Sequence, residues 1–146
     1  MSITFTKLDY FWLISIGILI IVFLIWLVAR KIKKAEIDED VLAKIKKEWQ
    51  EVENLISENS ANSWKLAILE ADKVLDLALK ILGFPGKDLG ERLKVVTHKY
   101  PSISEVWAAH KVRNQLVHET DYQLNSSTAK KSVEQFRRAL KILRML

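Results

Sequence analysis

Between Tyr10 and Ala29 the chain reads YFWLISIGILIIVFLIWLVA, 20 residues without a single charge. Nothing else in the sequence restricts the fold as strongly. At 1.5 Å per residue such a helix covers ~30 Å, the thickness of a bilayer's hydrocarbon core. Tyr10 and Trp12 lie near one end and Trp26 near the other. Amphipathic rings favour the two membrane interfaces, so both ends of a span are marked. A cleaved signal peptide would want a basic start, a shorter apolar run and a small-residue cleavage site. Lys7 is the only basic residue ahead of the run, and no small-x-small pattern closes it. The remaining alternative, a buried helix of a globular core, is seldom so long and uncharged.

The flanks of the run are unequal. Arg30, Lys31, Lys33 and Lys34 follow it directly. An excess of Lys and Arg marks the cytoplasmic side, so the N-terminus is expected outside and the C-terminal part in the cytoplasm. The expected organisation is a short extracytoplasmic N-terminus (1–9), a transmembrane helix (10–29), a basic juxtamembrane connector (30–37) and a helical domain (38–146). The expected location is the cytoplasmic membrane, single-pass, with the lipid bilayer as a partner.

The rest of the 146-residue chain allows one core and little more. There is no cysteine, which excludes disulfides and thiolate metal sites. Gly (4) and Pro (2) are scarce while Leu, Ile, Lys, Ala and Glu abound, a balance that favours helices. The net charge is +5, and the first 29 residues remove only Lys7 and Asp9, so the remainder keeps all of it. A basic surface can meet nucleic acid or anionic lipid, or be no more than well solvated.

Hydrophobic periodicity predicts four or five helices in an up-and-down bundle, an all-α fold. Val41, Ile45, Trp49, Val52 and Ile56 form one stripe, capped by Asp38 or Asp40 and ended near Ser57. The polar stretch 57–63 offers new caps. A second helix over about 64–82 stops at Gly83 and carries apolar residues on most of its faces. It is therefore central, or it also meets a partner. Its Glu70, Asp72 and Asp76 have Lys73 and Lys80 at helical spacing as exposed partners. A third helix spans about 87–99. A fourth covers about 102–117 with Ser102 or Ser104 as cap. The last starts near 125–127 with Ala129, Val133, Phe136, Leu140 and Leu143 as its stripe. The glycines of FPGKDLG (84–90) lack the Gly-Lys-Ser/Thr of a phosphate loop.

Chemistry concentrates in AAHKVRNQLVHETDY, residues 108–122, where Arg113, Asn114 and His118 form R-N-x-x-x-H at a predicted helix end. Histidine can take or give a proton near neutral pH. A guanidinium can hold phosphoryl oxygens as their charge grows. Asn114 can orient the imidazole or bind a sugar. On an ideal helix Arg113 and His118 stand about 140° apart. They meet one phosphate only if the helix unwinds near Val117 or a second chain contributes. The plainer reading has His118 as a helix C-terminal cation and Arg113 paired with Asp72 or Glu70 across the bundle. His98 and His110 read as surface residues. Trp49, Trp64 and Trp107 read as core rather than as base-stacking platforms.

With these residues, the segment from about 38 to 146 resembles the HEPN superfamily, small helical-bundle domains of prokaryotic defence and toxin systems. Many members carry R-x(4–6)-H with a polar residue after the arginine. The resemblance implies Arg113, Asn114 and His118 as catalytic residues of a metal-independent endoribonuclease, working in a dimeric cleft; Asp72 is a candidate supporting acid beside them. The resemblance implies no metal and no cofactor. Toxin-type members often place a tyrosine two residues after the histidine, where this chain has Thr120 and then Tyr122. The partners expected are RNA and a second copy of the chain. The competing function is a non-catalytic, membrane-tethered helical adaptor that binds a protein, nucleotide or RNA partner.

Overall fold

Helix α1 runs from Lys7 to Ile32. The computed structural model describes residues 7–32 and 38–146; within α1 the described side chains are Trp12 and those of residues 15–26. The chain divides into two units, Met1–Ile37 and Asp38–Leu146.

The expected membrane span is corrected here. Among the described residues no helix is long and apolar enough to cross a membrane. The single-pass membrane location and its orientation fall with the span, because the charge rule orients only a segment that crosses. Of the expected interface residues, Trp12 and Trp26 are exposed on α1. The side chains of Tyr10, Arg30 and Lys31 lie outside the described residues, as do Lys33 and Lys34 entirely.

The second unit is a helix bundle: α2 (Glu39–Ser57), α3 (Ala61–Ile81), α4 (Leu89–Lys99), α5 (Val106–His118) and α6 (Ser126–Ile142), with a 3-10 turn at Pro101–Ile103. Local chemistry starts most of these helices. Asp38 accepts from the Asp40 N–H. Ser60 and Ser63 cap each other reciprocally at the start of α3. Asp88 accepts from the Glu91 N–H at 2.9 Å, and Asn125 from that of Thr128 at 2.8 Å. Each satisfies a donor that the first helical turn leaves unpaired. α5 differs from expectation. Ser104 and Glu105 form a turn with helix-like backbone angles ahead of Val106, and no side chain caps the helix. Pro101 sets the 3-10 turn, and the chain passes from it into α5 without the extended residue that a serine cap requires. The α3 end is closed by Gly83 at φ +76°, with the Phe84 N–H reaching back to Leu79 C=O at 3.0 Å. This is the left-handed closure for which glycine is suited.

α3 is the centre, packing against α2, α4, α5 and α6. Its Ala67, Ile68, Ala71, Leu75, Ala78 and Leu79 are fully buried. From α2 come Ile45, Trp49 and Val52, and from α6 and its C-cap the whole expected stripe Ala129, Val133, Phe136, Leu140 and Leu143. Burying a side chain of the Leu or Phe class contributes roughly 1.5–3 kcal/mol, so these stripes hold the bundle together. Leu66 and Ile81 of α3 stay exposed.

Candidate functional site

The buried surface of α3 is not all apolar. Asp72 is 4% exposed, directly beside the fully buried Ala71. The expectation of an exposed partner for Lys73 or Lys80 is therefore corrected. Lys73 pairs with Glu70 at 2.6 Å, and Lys80 with Asp76 at 2.6 Å. Asp72 turns toward α5. Its Oδ1 lies 2.7 Å from His110 Nδ1 and its Oδ2 lies 3.3 Å from Arg113 Nε. The Arg113 pairing is the one anticipated as the plainer reading. The His110 contact was not anticipated, and His110 is not a surface residue: its side chain is 12% exposed. His98 is exposed as expected.

Buried charge is costly unless paired, and Asp72 resolves this by taking two partners from one face of α5, at i and i+3. Arg113 is in turn held from two directions. Nε faces Asp72, in an ion pair whose angle does not qualify as a hydrogen bond, and Nη1 donates to Asn114 Oδ1 at 3.2 Å. The side chain remains 31% exposed.

These residues border an open cleft of about 770 Å³ between α3, the start of α4 and α5. Asp72, Lys73 and Asp76 come from α3, the Lys87–Lys94 stretch from α4 and its approach, and Trp107, His110, Arg113, Asn114 and His118 from α5. Arg113, Asn114, His118 and Asp72, the four site residues taken from the sequence, thus share one cleft. α5 remains helical through His118, so of the two ways for Arg113 and His118 to meet one phosphate, unwinding near Val117 is not the one adopted. The cleft reaches both residues because it is wide, not because the helix bends. Trp107 is half-buried and lines the cleft, whereas Trp49 is core and Trp64 half-buried. A smaller hollow of about 430 Å³ near Ile56, Lys130 and Arg137 contains no histidine.

One turn along α3 from Asp72, Asp76 is held by Arg92 of α4. Arg92 Nη1 donates to Asp76 at 2.8 Å and its Nη2 to Gly86 C=O at 2.6 Å. A Cβ at Gly86 would stand 2.8 Å from the Arg92 nitrogen, so only glycine lets the turn approach α4 this closely. Among the described residues, no three His, Asp or Glu side chains gather as metal ligands.

No family model, curated protein or solved structure matches the chain. The arguments for function are the cleft and the sequence motif themselves.

Proposed function

We propose that the Asp38–Leu146 unit is a HEPN-like endoribonuclease that cuts single-stranded RNA without a metal. The observation that carries this reading is the common cleft of Arg113, Asn114 and His118, with Arg113 fixed by the buried Asp72. In such a reaction the ribose 2′-OH attacks the adjacent phosphate, and charge builds on the phosphoryl oxygens. Arg113 Nη2 has no hydrogen-bond partner among the described residues and faces that role. His118, exposed at the last turn of α5, exchanges a proton with the reacting oxygens. Asn114 steadies the guanidinium from the other side. The cleft is open, so a second copy of the chain can close over it, the arrangement that the resemblance implies. Val117, half exposed beside His118, supplies an apolar contact for such a copy.

The full chain incubated with labelled single-stranded RNA in EDTA is expected to give fragments ending in a 2′,3′-cyclic phosphate, read by mass spectrometry. Intact RNA at all protein concentrations would leave the cleft to a non-catalytic adaptor.

A further inference from the structure

Cleavage of this kind needs one group to take a proton and another to give one, and R-N-x-x-x-H contains a single histidine. His110 stands in the same cleft. Its Nδ1 lies 2.7 Å from Asp72 Oδ1, and Asp72 is 4% exposed. An ionised carboxylate can only accept, so Nδ1 is the donor to it, and in the neutral imidazole the lone pair is then on Nε2. Nε2 makes no hydrogen bond among the described residues, yet it is not sealed away from solvent. Besides Asp72, Trp107 fixes the ring. Trp107 meets it edge-on, with centroids 6.1 Å apart and planes at 74°. Gly90, in the first turn of α4, lies where a Cβ would be 3.6 Å from Nε2. Glycine weakens a helix, and its missing side chain here leaves room beside the free nitrogen.

We propose that His110 takes the proton from the 2′-hydroxyl and that Asp72 is its positioning residue, an assignment that rests on the ribonuclease reading above. On the helix, His110 and Arg113 are about 60° and about 4.5 Å apart, so a phosphate held by Arg113 comes beside Nε2. His118 lies about 12 Å along the axis from His110, on the far side of Arg113. In the step, the O2′–H bond breaks and its proton passes to Nε2. O2′ bonds to phosphorus as the P–O5′ bond breaks. The electron pair goes to O5′, which His118 protonates. The products are a 2′,3′-cyclic phosphate and a 5′-hydroxyl, with no other reactant consumed. Asp72 stabilises the imidazolium that forms, as a buried carboxylate does in hydrolase triads.

The test uses the full chain, RNA in EDTA, and a second RNA with a 5′-thio leaving group that departs without protonation. His110→Ala and His110→Gln are compared with His118→Ala. The glutamine variant keeps a donor for Asp72 and decides the matter if the alanine variant fails to fold. Both His110 variants are expected to lose about 10²-fold or more on both substrates and to flatten the acid limb of the pH–rate profile. His118→Ala is expected to recover most of its loss on the thio substrate. Asp72→Asn is expected to displace the acid limb while RNA is still bound. Wild-type rates for His110→Gln, or thio rescue of the His110 variants instead of His118→Ala, would overturn the assignment and leave the ribonuclease reading standing. Failure of the wild-type chain to cut either RNA overturns both.

Discussion

Asp72 and Asp76 stand one turn apart on α3, and each faces an arginine from a neighbouring helix. Arg92 is enclosed: its side chain is 8% exposed, and both terminal nitrogens donate, one to Asp76 and one to Gly86 C=O. Nothing of its guanidinium is left for a ligand except a buried, unpartnered Nε. Arg113 is 31% exposed and leans on Asp72 with Nε, leaving the outer edge of the guanidinium toward the cleft. The same residue pair thus fastens a turn in one place and presents a charge in the other. What separates them is access and the number of donors already engaged. Ion-pair distance does not separate them by itself.

Four substitutions sharpen or break that contrast. The largest effects are expected on the cleft side. His118→Ala should lower RNA cleavage by roughly 10²–10⁴ through loss of a proton carrier. Arg113→Ala should remove about 3 kcal/mol of transition-state stabilisation, while thermal melting monitored by circular dichroism moves little. If Arg113→Ala instead unfolds the chain, Arg113 is a second Arg92 and the contrast is lost.

On the enclosed side the expected pattern is reversed. Arg92→Ala should destabilise by about 2–3 kcal/mol in urea unfolding, because it removes charge-assisted hydrogen bonds and packing together. Cleavage per folded molecule should stay at the wild-type value, since Arg92 does not line the cleft. The smallest effect belongs to Lys73, whose pair with Glu70 at 2.6 Å is exposed on both sides (67% and 37%). Lys73→Ala should change stability by no more than about 0.5 kcal/mol, since solvent screens such pairs. A larger loss would mean that short ion-pair distance outweighs exposure in this bundle.

Legibility from sequence tracked how local each cause was. The α6 stripe from Ala129 to Leu143 is buried as the 3.6-residue period requires. The caps Asp38 and Asn125 are side chains bonding two or three residues onward, so they are visible in a short window. The start of α5 was misplaced because Pro101 carries the chain into the helix through a 3-10 turn, and no serine stands at its boundary. The run from Tyr10 to Ala29 shows the opposite error. Absence of charge pointed to a helical segment, which α1 is, but among the described residues no helix is long and apolar enough to cross a membrane.

The sequence by itself determined the helices, their apolar faces and the motif R-N-x-x-x-H, because backbone hydrogen bonding, capping and side-chain period all act over a few residues. The tertiary structure alone decided that Asp72 is buried and that His110, 38 positions away, is its partner. Lys73 and Lys80 stand one and eight residues from Asp72, off the spacing at which helix side chains pair, and they pair with Glu70 and Asp76 instead. Only the docking of α5 against α3 turns the carboxylate inward. A buried carboxylate must find donors, and α5 brings the imidazole of His110 and the guanidinium of Arg113 to its two oxygens.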